Sequence, residues 1–202
     1  MKKILFLVLP FLLMAFSCNL PALLQETTPT EDPSGLTTQE PGSDAIVYYY
    51  YVPVEEGVYA EGSIVIMADT LVLAPAASGF TRTADTANDL TTALLLMLRD
   101  VRNDWSGSNM GVSSVNFITG RAEVALQGDV TVAGDIQLIA LRFQVLLTVF
   151  AEPGVQSAIV TLNGKNIANL GVSNSMYADP EDYTYTRSEI ETFIVENAYV
   201  HP

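Results

Sequence analysis

Cys18 is the single cysteine of this 202-residue sequence and His201 its single histidine. Those counts bound the chemistry before any pattern is sought. An internal disulfide needs two thiols, and a Cys-clustered zinc site needs more, so both are excluded. His201 lies beside Pro202 at one end of the sequence, away from any serine that it could activate as a base. Apart from Lys2 and Lys3, the one lysine is Lys165, directly after the turn pair Asn163-Gly164, a setting that reads as an exposed turn and not as half of a Ser–Lys dyad. Paired carboxylates could serve glycoside hydrolysis, which requires two acids ~5–10 Å apart. Glu55-Glu56, Asp100 with Asp104, and Asp179 with Glu181 and Asp182 supply such pairs, but in contexts that read as solvated loops. The last group lacks the alternating acids and the glycine of a calcium loop. Gly107-Ser108-Asn109-Met110-Gly111 lacks the lysine of a phosphate-binding loop. No catalytic residue, metal ligand or cofactor is expected.

Cys18 is different, because its surroundings specify a use. Met1-Lys2-Lys3 is cationic, and Ile4 to Phe16 follows without a charge. As a helix at ~1.5 Å per residue that run spans roughly 20 Å, short of the ~30 Å hydrocarbon core. It reads as the apolar region of a signal peptide, residues 1–17. Ala15-Phe16-Ser17-Cys18 resembles the lipobox of bacterial lipoproteins, which implies that Cys18 is lipidated and becomes the first residue of the mature chain. Two or three acyl chains there would anchor the protein stably, since each buried CH₂ contributes ~0.8 kcal/mol. Asn19, in place of Asp, resembles lipoproteins sent onward to an outer membrane where a cell has one.

The formal charge of −14, from 9 basic and 23 acidic residues, argues against a nucleic-acid partner. Removing residues 1–17 takes away Lys2 and Lys3 but no acid, which makes the chain two charges more negative. Such a domain is repelled by anionic headgroups and stands off the surface that holds it. Residues 18–44 supply the leash: Pro21, Pro29, Pro33 and Pro41 alternate with threonines and acids, with little to bury.

From residue 45 the composition turns apolar; 49% of the whole sequence is hydrophobic, enough for a real core. Ala45 to Val52 reads as a strand stopped by Pro53. Its Tyr48 to Tyr51 run suggests either tyrosines on both faces, one set buried, or a platform for stacking glycans. Ile64 to Met67 and Thr70 to Leu73 read as a short hairpin ending before Pro75. Leu90, Ala93, Leu94, Met97, Leu98 and Val101 share one helical face across Thr86 to Arg102, with Thr86 and Asp89 as the N-terminal cap. Ser106-Gly107-Ser108 closes that element, and Trp105 reads as an apolar cap upon it. Val115, Phe117 and Thr119, then Ala122, Val124 and Leu126, alternate about Gly120 as a hairpin. A second helix runs from Asp135 to Phe150, stopped by Glu152-Pro153-Gly154. Ala158, Val160 and Leu162 form a further strand.

The expected fold is therefore α+β: a single small domain in β-α-β-β-α-β order, two helices packed on one face of a mixed sheet. In the segment 176–202, Ser188 and Glu191 are spaced as a capping box for a short docked helix, with Ile190, Phe193 and Ile194 beyond it; the alternative is a partner-binding segment.

Taken together, several segments resemble the GerMN domain, the sporulation and spore-germination module carried by bacterial lipoproteins. They are Val47-Tyr48-Tyr49-Tyr50, Ala93 to Leu98, Val115 to Val124, Leu146 to Phe150 with Val155, and Val160 to Lys165. The resemblance covers about Ala45 to Gly171 within a domain of residues 45–175. Two departures are Arg99-Asp100, where the family often has Gly-Pro, and Glu55 to Phe80, which reads as an insertion. The resemblance implies a non-catalytic envelope module that assembles with a protein partner or with itself. The competing expectation is a lipoprotein that binds or hydrolyses wall glycans, resting on the tyrosine run and the acid pairs.

Overall fold

The computed structural model describes residues 47–55, 59, 61–66, 71–105, 109–172 and 179–199. The signal segment, Cys18, the leash, Ala45, Glu56, the hairpin turn Ala68-Asp69, Ser106 to Ser108 and His201 lie outside the described residues. What is described is an α+β domain built on two sheets and three helices, not on one mixed sheet.

The first sheet has the order β1-β3-β2 and is antiparallel throughout. Strand β1 spans Val47–Pro53, β2 Ile64–Ile66 and β3 Leu71–Thr81. The segment expected to be an insertion thus supplies the ladder partner of β1. Strand β3 also runs through Pro75, where a break was expected. Proline lacks an N–H and is tolerated in a sheet only where no ladder bond is needed. Pro75 sits opposite Tyr51 and past β2, which begins opposite Leu73. Tyr51 directs its own N–H and C=O to a helix instead, so the missing donor leaves nothing unpaired there.

The second sheet has five strands in the order β4-β5-β6-β7, with β8 also paired to β6. Its strands are β4 (Gly111–Ile118), β5 (Arg121–Gln127), β6 (Ser157–Leu162), β7 (Lys165–Asn166) and β8 (Tyr185–Thr186). The β4–β5 turn is Thr119-Gly120, both at positive φ (49° and 81°), which matches the right-handed twist of the flanking strands. Strand β5 shows the alternation the sequence predicts, Ala122, Val124 and Leu126 buried and Arg121, Glu123 and Gln127 exposed.

Helix α1 spans Thr86–Arg99 and is capped by Asp85, whose side chain accepts from Asn88 N–H, not by Thr86. It ends three residues before Arg102. Asp89 is instead buried and accepts from the N–H and hydroxyl of Thr83, tying β3 to the helix entry. Helix α2 spans Asp135–Phe150, and every residue from Gln144 to Phe150 is buried. Helix α1 touches β1 of one sheet and β4 of the other, while α2 packs on α1, β1 and β3, so the helices join both sheets into one core. Each fully buried Leu, Ile or Met in that core contributes about 1.5–3 kcal/mol.

Helix α3 spans Arg187–Asn197 and docks on α2 and β2, with Ile190 buried and Phe193 stacked on Phe143 at 4.4 Å. Its capping box is Thr186 with Glu189, not Ser188 with Glu191. Both pairs have the same spacing. Pairing of Thr186 with Ser157 in the sheet holds the extended backbone a cap residue needs, and places the start there.

Candidate functional site

The side chains that sequence reasoning put forward are not gathered into one site. Glu55 and Asp104 are exposed along one cavity, Glu181 and Asp182 are exposed elsewhere, and Asp179 is exposed with its backbone held by the side-chain amide of Asn169. Among the described residues there is no group of three or more His, Cys, Asp or Glu side chains placed to hold a metal, and no helix long and apolar enough to cross a membrane. Lys165 is exposed beside a cavity of about 450 Å³ lined also by Asn163, Asn166, Asn169 and Glu181. The three asparagine amides are already committed to Gly128, Tyr183 and Asp179.

The tyrosine run divides by face. Tyr48 and Tyr50 point inward, Tyr51 is half-buried, and Tyr49 alone is exposed, at 45%. Tyr48 stacks on Phe80 with its ring under the Arg82 guanidinium, and burial raises its phenol well above the ordinary range. A platform of alternate tyrosines is therefore absent from this strand. Trp105 is 4% exposed and donates its indole N–H to Gln144 Oε1 at 2.9 Å, so it is an anchored core residue.

That bond belongs to a buried network that sequence reasoning missed. Gln144 Nε2 donates to Asn103 Oδ1 (2.8 Å) and to the carbonyl of Tyr51 (3.2 Å). Thr148 Oγ1, one turn along α2, accepts the N–H of Tyr51 (3.1 Å). Gln144 and Thr148 are both fully buried, and together they occupy the outward N–H and C=O of Tyr51 on the β1 edge. The signal was present: two polar residues four apart, in an otherwise apolar helical run, lie on one face.

A second cluster joins Tyr50, Asp100 and Arg102. Arg102 grips Asp100 with two bonds, Nε to Oδ1 (2.8 Å) and Nη2 to Oδ2 (2.7 Å), and the Tyr50 hydroxyl donates to Oδ2 (2.9 Å). Chiefly through Arg102, the Asp100 carboxyl is lowered to about 2. A carboxylate so held is a fixed acceptor and a poor proton shuttle at neutral pH. The adjoining cavity, about 540 Å³, is lined by Pro53, Val54, Glu55, Val101, Arg102 and Asp104. The third cluster caps α2: Arg187 donates to the carbonyls of Phe150, Glu152 and Val155, and Arg82 to that of Ala151, placing two cations at the helix C-terminus.

What remains open to a partner is the second sheet. Its outward face presents Ser114 and Asn116 from β4 and Arg121 and Glu123 from β5, all exposed, beside Ile118 at 71% exposure. Arg121 and Glu123 pair with each other at 3.1 Å. Comparison with protein-family models, with curated proteins and with solved structures finds no match to this chain.

Proposed function

We propose that this protein is a lipid-anchored, non-catalytic, GerMN-like module that mediates protein–protein assembly in the bacterial cell envelope. The observation that carries the reading is the bare β4–β5 surface: a sheet packed on one face only, with Ile118 left 71% exposed at its margin. Elsewhere the polar side chains of the core bond to one another and to backbone, and so serve the fold. The resemblance to GerMN domains and the lipobox-like Ala15-Phe16-Ser17-Cys18 support the envelope setting.

Cross-linking in native envelopes tests the assembly role; the expected result is a protein captured through residues of β4 or β5. Capture of nothing above background, together with measurable heat on mixing with wall fragments, would overturn it in favour of glycan binding. The anchor has a separate test. Cys18→Ala should release the protein from the membrane or leave an unprocessed precursor, and acyl labelling that survives the substitution would refute lipidation.

A further inference from the structure

An unpaired strand edge is a template for another strand, and folded proteins blunt such edges. This domain treats its edges unequally. The outer edge of β1 packs on α2, where Gln144 and Thr148 bond the backbone of Tyr51. The outer edge of β2 is met by the segment after α3, through the Ile64–Ala198 bridge and the bond from Tyr199 N–H to Ser63 C=O. On the far side of β6 stand β7 and β8, each of two residues. Strand β4 has eight residues, packs against α1 and pairs only with β5; among the described residues no hydrogen bond from another element meets its outer edge. It holds no charge and no proline in a chain of net charge −14.

The turn fixes which backbone groups of β4 face outward. In a hairpin with a two-residue turn the flanking pair, here Ile118 and Arg121, is hydrogen-bonded, and the character of the pairs alternates from there. Ile118, Asn116 and Ser114 thus bond to β5, while Val115 and Phe117 direct N–H and C=O away from it. The bulge between Val112 and Ser114 interrupts the pattern beyond that point.

We infer that β4 pairs antiparallel with β4 of a second copy, about a two-fold axis at Asn116, so that Val115 of each copy bonds to Phe117 of the other. This rests on the assembly role proposed above and names its partner. The register uses only the backbone groups that face outward and avoids the bulge. It sets Asn116 against Asn116, where the two amides can bond across the axis, and lays exposed Ile118 over Ser114 of the other copy. Charge selects the occupant. Two copies of so acidic a chain repel each other over most of their surfaces, but this strand is neutral, and the charges opposite it on β5, Arg121 and Glu123, pair within one copy. So short a strand pair falls below the ~1,200–2,000 Å² of a stable interface, so the dimer is weak in solution. Confinement of both copies by a membrane anchor raises their effective concentration toward ~1 mM and favours it.

Sedimentation equilibrium of the full chain in density-matched detergent tests this, with Asn116→Lys and Asn116→Glu as variants at an exposed position. Wild type should move from monomer to dimer mass as its concentration rises toward about 1 mM. Each variant alone opposes like charges across the axis and should weaken dimerisation about fivefold to tenfold. An equimolar mixture of the two should restore it as a heterodimer, because Lys meets Glu only where position 116 faces itself. Wild type monomeric throughout would overturn the inference; protection of the Val115 and Phe117 amides in that monomer would mean that the chain covers its own edge. Variants that dimerise like wild type, or a mixture that does not recover, would also overturn it. In either case envelope cross-linking to a different protein leaves the assembly role standing, whereas cross-linking to none removes that as well.

Discussion

Replacing Gln144 by Leu keeps roughly the same side-chain volume and removes both ends of one amide. The indole N–H of Trp105, now 2.9 Å from Gln144 Oε1, becomes a buried donor with no acceptor. The Tyr51 carbonyl loses its bond from the amide, and so does Asn103 Oδ1, which is half-buried and can turn toward water. A fully buried unpaired donor costs about 1–3 kcal/mol, a partly buried acceptor about 1, and the added apolar surface returns about 1. The expected destabilisation is about 2–4 kcal/mol, or roughly 5–15 °C in Tm for a domain of this size. Urea unfolding reports it directly, because Trp105 is the one tryptophan of the sequence and its emission follows this site. A cycle with Trp105→Phe, followed by far-ultraviolet circular dichroism, isolates the bond. The double variant should be less destabilised than the sum of the singles by about 1–2 kcal/mol, since it leaves neither end of the Trp105–Gln144 bond orphaned. Additive losses would refute the worth of the Trp105–Gln144 bond, and an unchanged midpoint for Gln144→Leu would refute the claim that this amide holds the β1 edge to α2.

Three further outcomes follow from the geometry. The Asp100 carboxyl is held at about 2, below its ordinary value near 4, chiefly by Arg102. Its stabilisation is therefore complete above pH ~4 and lost as the pH falls toward 2. Asp100→Asn should flatten stability across that window by no more than about 1 kcal/mol, because Arg102 is half-exposed; an NMR titration of the Asp100 carboxyl checks the shift itself. Arg187→Met removes the bonds to the carbonyls of Phe150, Glu152 and Val155 and should cost about 2–3 kcal/mol in denaturant unfolding, with α3 the first element to lose amide protection. Gly128 has φ +119°, and a Cβ there would lie 2.2 Å from the Asn109 carbonyl oxygen, so Gly128→Ala should destabilise by more than about 2 kcal/mol and lower the Tm measurably.

The parts of the fold legible in the sequence are those set by local spacing. Leu90, Ala93, Leu94, Met97 and Leu98 mark α1 because helical geometry repeats every 3.6 residues, and Ala122, Val124 and Leu126 mark β5 because strand geometry repeats every two. What local spacing cannot carry is which strand pairs with which. The division into two sheets depends on β1 meeting β3 across a long intervening segment, and Pro75 speaks against a strand except at a position past β2, where no ladder donor is needed. The N-terminus of α3 failed for a related reason: Thr186 and Ser188 offer the same capping chemistry, and only the distant Ser157 decides between them. At the candidate site, the exposure of Ile118 and Asn116 could be read from alternation. That β4 ends its sheet could not, because an edge is defined by a neighbour that is missing.

The segment from β8 through Tyr199 has a bearing on timing. It completes the far side of β6, covers β2, and supplies through Arg187 the donors that close the end of α2. A chain emerging amino end first, from a ribosome or through a membrane channel, thus holds both sheets incomplete until residues 185–199 are free. Contacts of such large sequence separation form slowly, since their loop entropy must be met before they stabilise anything. The domain therefore completes its fold in a late, cooperative step, once residues 185–199 are free.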